Sequence, residues 1–355
     1  MNVWQTVYTN AWHNPGVMAA LGAAVLFGAG APAAKLLLGS MSPWLLAGLL
    51  YLGSGVGLAL ARQFRRTESV SLARGEAKWL AIAVATGGVI GPVLLMVGLS
   101  RMPASAASLL LNAEAVFTAL LAWFVFQKNF DRRIAFGMAL IVIGALVLSW
   151  PGDIGFGSAL PALAVLGACF LWGIDNNLTR KIALTDATFI AMIKGIVAGV
   201  VNVMIAWTLG ATFPSSQVIV AACAVGFFSF GASLVLFVVA LRHLGAARTG
   251  AYFSIAPFAG AMISFVLLGE TVTVTLVLAG LLMGAGVWLH LTERHDHAHA
   301  HDALEHTHEH VHDEHHQHEH DNLVPDDTRH THRHGHDPIS HAHPHYPDAH
   351  HGHQH

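Results

Sequence analysis

The chain has 355 residues, 54% of them hydrophobic and 11% charged, with a formal net charge of −3. A soluble domain carries about 25% charged residues, so this composition excludes an ordinary soluble enzyme or binding module. The net charge carries little further argument, because the C-terminal 61 residues dominate it, and nothing in it points to nucleic acid.

From Val17 to Leu291 apolar runs of roughly 20 residues follow one another, and such a run crosses a hydrocarbon layer of about 30 Å. We expect ten spans, at 17–38, 42–61, 79–99, 104–126, 134–150, 158–178, 187–209, 218–241, 248–268 and 271–291. Residues 1–16 hold no Lys or Arg, so the first run lacks the basic flank of a signal peptide. Cys169 and Cys223 lie inside apolar runs and read as buried thiols. Gly280-x-x-x-Gly284 has the spacing that lets two membrane helices approach.

The connections are short and unevenly charged. Arg62, Arg65, Arg66, Arg74, Lys78, Lys128, Arg132, Arg133, Arg180, Lys181, Arg242 and Arg248 fall on one side, against Lys35 and Arg101 on the other. Basic residues mark the cytoplasmic side. With ten spans, both termini are then expected in the cytoplasm of a multi-pass inner-membrane protein, surrounded by lipid. A homodimer is compatible with this reading.

The halves repeat. "GLSRMPASAASLLLNAEAVFTALLAWFVFQKNF" (98–130) aligns without gaps to "ALRHLGAARTGAYFSIAPFAGAMISFVLLGETV" (240–272), and "FGAGAPAAK" (27–35) lies over "WGIDNNLTR" (172–180). Five spans per half is an odd number, so the halves are inverted. Inverted repeats with a site between them near the midplane characterise secondary transporters. The expected organisation is an N-terminal segment (1–16), a first five-helix repeat (17–150), a second (158–292) and a tail (293–355). The fold class is all-α integral membrane, with a disordered His-rich tail.

Ten spans, the inverted repeat, and "NAEAVFTALLAWFVF" and "SIAPFAGAMISFVLLGE" closing the halves resemble the EamA branch of the drug/metabolite transporter superfamily. That pattern has Glu-Pro in the fourth helix of a half and Gly-Glu at its end. Here Glu114 is followed by Ala115, while the second half has Ala256-Pro257 and Gly269-Glu270. The resemblance implies a ten-helix exporter.

Ionisable residues inside a bilayer are costly and so tend to be functional or paired. Glu114 falls near the middle of the fourth span and is the candidate proton-coupling carboxylate, with Asn112 as a nearby polar ligand. The alternative is a neutral Glu114 that ties helices together. Asp175 and Asn176, followed by Asn177, bring oxygen ligands suited to a hard or borderline cation. Asp175 has an alternative as well, an ion pair with Lys194. Lys35 and Arg180 read as snorkelling cations near span ends. His243 and His290 read as interfacial; Asn202, Met96, Met192 and Met204 could supply further ligands, the methionines reading mainly as packing. No Walker loop or hydrolytic motif appears, so transport without ATP is expected rather than catalysis.

The segment from His295 to His355 holds 23 histidines. Its densest part contains His295, His297, His299, His301, His306, His308, His310, His312, His315, His316, His318 and His320, interleaved with seven carboxylates. Neutral imidazole binds Ni2+, Co2+, Cu2+ and Zn2+. Almost no large apolar residue is present, so disorder without metal is expected. Tail and fold together resemble nickel/cobalt-resistance exporters of the same superfamily. The sequence-level expectation is therefore proton-coupled export of Ni2+ or Co2+, with no resident cofactor. Export of amino acids, metabolites or drugs, with a metal-sensing tail, is the alternative.

Overall fold

A computed structural model describes residues 15–65, 76–126, 132–150, 159–181 and 186–291, together with four backbone strands between 296 and 344. Ten apolar helical elements follow in order: α1 (Pro15–Leu37), α2 (Pro43–Phe64), α3 (Ala77–Arg101), α4 (Ala104–Phe124), α5 (Arg133–Ser149), α6 (Leu160–Thr179), α7 (Ala187–Thr208), α8 (Ser216–Gly245), α9 (Arg248–Leu268) and α10 (Val274–Leu291). Among the described residues nine are long enough to cross a membrane, and α5 is the short one. The outside of the bundle is apolar: Val266 is 87% exposed and Trp207 69%. Such a surface needs lipid around it.

Packing follows the duplication. Helix α2 lies along α7, and α5 along α10, each pairing equivalent elements of the two halves. Helix α1 packs on α8 and α9, as α6 packs on α3 and α4. Exchanging the halves leaves this pattern unchanged, as an inverted repeat requires.

Glycine makes the central contact possible. A Cβ at Gly195 would stand 2.7 Å from the Gly55 backbone, and one at Gly199 would stand 2.7 Å from Leu52 N. The close approach expected at Gly280 and Gly284 is not found there, where a Cβ would meet its neighbours only at 3.6 and 3.8 Å. In α10 it is Gly286 that touches α5, with a Cβ position 2.5 Å from Gly137 O. Spacing alone could not choose between these faces of one helix.

Several spans are interrupted. Helix α1 breaks at Ala29, α4 between Leu110 and Ala113, and α9 between Phe253 and Ala256. The ungapped alignment of the halves lays the α4 break over the α9 break. Continued upstream at the same offset, it lays residues 85–90 of α3 over residues 227–232 of α8, and both segments wind as π-helix, at Val84–Ile90 and Phe227–Ala232. Wide turns of this kind loosen the hydrogen-bond ladder and are common at functional sites.

The tail forms a separate unit from Arg294 to His355. Its described parts are backbone strands β1 (Asp296–His301), β2 (Leu304–His310), β3 (His330–His336) and β4 (Ile339–Pro344), with β1 antiparallel to β4 and β2 to β3. The tail histidines named as metal ligands lie outside the residues whose side chains are described.

Candidate functional site

The α4 break places Glu114 in the first turn of its second segment, Ala113–Phe126. The N-terminus of a half-helix near the midplane carries unpaired N–H groups and a positive dipole end. Asn112 sits at the break itself, buried, and its amide donates to Leu109 O at 2.9 Å and faces Met283 Sδ at 3.9 Å. Its side chain thus adds a second donor to the Leu109 carbonyl, which also accepts from Asn112 N at 3.1 Å, and no described hydrogen bond joins it to Glu114.

Helix α6 runs beside α4 and presents the polar triplet. Asn176 donates to Glu114 Oε1 at 2.8 Å and to Thr118 Oγ1 at 3.3 Å. Asn177 turns to the carbonyls of Thr118 and Gly173, at 3.0 and 2.9 Å, and serves the helix contact. One turn of α6 therefore aims two residues at the site and one at packing, as a spread of 100° per residue demands. Asp175, 5% exposed, accepts from Lys194 Nζ at 2.6 Å on Oδ1 and 2.5 Å on Oδ2, and Oδ1 also accepts from Thr179 Oγ1 at 2.9 Å. Of the two readings of Asp175, the ion pair is formed.

The first π-turn lines this pair. Gly87 lies so close that a Cβ there would stand 2.1 Å from Asp175 Oδ2. The Gly87 carbonyl accepts from Tyr51 Oη at 2.8 Å and from Trp172 Nε1 at 2.9 Å. Tyr51, Ser54, Thr179, Lys194 and Phe230 border a cavity of about 270 Å³ between α2, α6, α7 and α8. Neither Tyr51 nor Trp172 stood out in the sequence. The available signal was a tyrosine in the middle of an apolar span, where its hydroxyl needs a partner.

The two ends of the bundle are tied differently. At one end Arg62 of α2 donates to Asp186, which caps α7 by accepting from Thr188 N at 2.8 Å. Burial pushes the Asp186 carboxyl up, but hydrogen bonds from Thr188 and Arg62 outweigh it and hold it at about 2. At the other end Lys35 donates to Leu99 O at 2.6 Å and Met102 O at 3.0 Å. The snorkelling expected of Lys35 is therefore replaced by a cap on the α3 C-terminus, where a cation meets the negative dipole end. Glu270 of the second half caps α4 of the first, accepting from Ala104 N at 2.6 Å and Ser105 N at 2.9 Å. A larger hollow, about 610 Å³, opens beside it along Arg101, Thr273 and Trp150. Its wall carboxylate, Glu270, is the one that caps α4.

His290 is half-buried and its Nε2 lies 3.1 Å from Ile134 O, a tie between α10 and α5. Among the described residues no three His, Cys, Asp or Glu side chains gather as a metal site.

Residues 14–150 and 159–292 each match the EamA-like transporter family. An uncharacterized transporter of Methanothermobacter thermautotrophicus is 30% identical over 294 residues, covering 77% of this chain and 85% of that one. A probable amino-acid metabolite efflux pump of Salmonella typhimurium is 40% identical over 82 residues, 23% of this chain and 27% of the pump. A probable 4-amino-4-deoxy-L-arabinose-phosphoundecaprenol flippase subunit of Pseudomonas fluorescens is 34% identical over 102 residues, 29% of this chain and 89% of the subunit. One crystal structure superposes with a TM-score of 0.59 over 78% of this chain and 95% of its own, at 15% identity, a likeness of fold alone.

Proposed function

The chain belongs to the EamA-like transporter family of membrane transporters, and on that premise we propose that it exports a small zwitterionic solute of the amino-acid class in exchange for protons. The observation that carries this reading is the Asp175–Lys194 pair, with Lys194 on the wall of a 270 Å³ cavity. Separating two buried charges is costly when either is left alone. A zwitterion replaces the pair group for group, its ammonium on Asp175 and its carboxylate on Lys194. Neither protein charge is then stranded, and no net charge enters. A bare divalent cation would instead place two positive charges against the Lys194 ammonium.

Glu114 is the proton carrier in this scheme, since its carboxylate accepts from Asn176, the residue beside Asp175. In this scheme the Arg62–Asp186 end faces the cytoplasm of the inner membrane, following the basic residues. The relative named as an amino-acid metabolite efflux pump supports the cargo class.

A second reading, export of Ni2+ or Co2+, is favoured by one observation, the 23 histidines after residue 294. There the tail would gather metal, Zn2+ included, at the cytoplasmic mouth, and Asp175, Asn176 and Glu114 would supply oxygen ligands after release of Lys194. Proteoliposomes with an imposed proton gradient separate the two. Flux of radiolabelled L-amino acids, abolished by Lys194→Met, is expected. Flux of Ni2+ or Co2+ without amino-acid flux would overturn the first reading.

A further inference from the structure

We propose that Tyr51 is a positioning residue that links the two π-turns, so that the first turn cannot loosen without the second. The two turns occupy equivalent places in the repeat, and Tyr51 lies on α2 between them. Its hydroxyl donates to the Gly87 carbonyl of the first turn at 2.8 Å. Its ring packs on Phe230 of the second, centroid to centroid 6.0 Å. The same upstream offset lays Gly88 over Phe230, and a Cβ at Gly88 would stand 3.7 Å from Tyr51 Cε1. Equivalent positions of the two halves therefore flank a single side chain.

The asymmetry between them follows from the asymmetry of Tyr51. Glycine admits the ring and leaves the neighbouring carbonyl open to the hydroxyl. Phenylalanine fills the opposite side, where no hydrogen bond is made. The first turn also carries load from the ion pair, because Gly87 abuts Asp175. A change at Asp175–Lys194 thus reaches the first turn by contact, and the second through Tyr51. In an inverted repeat, opening one end while closing the other requires both halves to move together, and Tyr51 supplies a direct mechanical link between them.

The inference needs only the transporter fold and no particular cargo, so failure of the amino-acid reading leaves its test intact. The measurement is hydrogen–deuterium exchange of the full chain in lipid nanodiscs, following amides of 84–90 and 227–232. Trp172→Phe removes the other donor to Gly87 O, and no described hydrogen bond joins Trp172 to the second turn. With Tyr51 present it should speed exchange in both segments by about three- to tenfold, the scale of one lost hydrogen bond. In the Tyr51→Phe background the same substitution should speed 84–90 alone. A Tyr51 that merely fills space would alter overall protection and leave transmission between the segments unchanged. The proposal is overturned if 227–232 ignores Trp172→Phe while Tyr51 is intact, or responds equally without the Tyr51 hydroxyl.

Discussion

Asp175 holds the Lys194 ammonium with both carboxylate oxygens, at 2.6 and 2.5 Å, and its side chain is only 8% exposed. The pair joins α6 to α7, and Lys194 borders the 270 Å³ cavity. Its burial sets the first expectation. Asp175→Ala or Lys194→Ala alone strands a charge and should cost about 3–5 kcal/mol of stability. The double substitution should cost less than the two singles combined. Unfolding in detergent followed by tryptophan fluorescence gives the three numbers, and simple additivity would show that the pair is not coupled.

Glu114→Gln preserves the shape of the side chain and a polar partner for Asn176, so the protein should fold with near-normal stability. It should lose proton-driven flux while retaining exchange of cargo across the liposome. The check is to compare flux with and without a pH gradient. If the gradient still accelerates the variant, Glu114 only ties α4 to α6.

Gly87→Ala forces a methyl group to 2.1 Å from Asp175 Oδ2, against a carboxylate already held by Lys194 and Thr179. Transport should fall at least tenfold, or the protein should fail to accumulate. Gly284→Ala, whose Cβ would meet Phe258 at 3.8 Å, should be close to neutral. Gly286→Ala, facing Gly137 O at 2.5 Å, should not. Thermal stability of the three variants measures this contrast, which spacing alone would have placed at Gly280 and Gly284.

The Arg62–Asp186 tie should not be the source of any pH response near neutrality. Its carboxyl is held at about 2 when folded, below the usual value of about 3.9. Its stabilisation is complete above the unfolded value and is lost only as pH falls through about 2. Asp186→Asn should therefore lower flux without changing the shape of its pH profile between 5 and 8. A profile that flattens in this variant would make Asp186 part of the coupling machinery.

The apolar helices and their pairing into halves were legible because hydrophobic length is local information, read one run at a time, although among the described residues nine of the ten expected spans are long enough to cross. Glu114, Asp175 and Lys194 were legible because an ionisable group in an apolar run has few cheap explanations, and Asn176 because it extends a polar triplet there. Tyr51, Trp172 and Gly87 were not. Their roles come from a carbonyl that a π-turn leaves accessible, and one apolar or aromatic residue in a membrane span looks like any other. That Lys35 caps α3 was not legible for a similar reason: sequence places a cation near a span end, while the helix end within its reach is set by packing.

The amino-acid sequence by itself determined that this chain is a duplicated ten-helix membrane protein with a histidine-rich tail, because apolar run length and basic flanks fix how segments partition into a bilayer. Only the tertiary structure decided that Asp175 meets Lys194, that Asn176 meets Glu114, and that Tyr51 lies between the two π-turns. Those contacts join residues 19 to 179 positions apart. They depend on which face each helix turns inward, and in a bundle apolar on all sides that choice is made by close packing rather than by hydrophobic pattern.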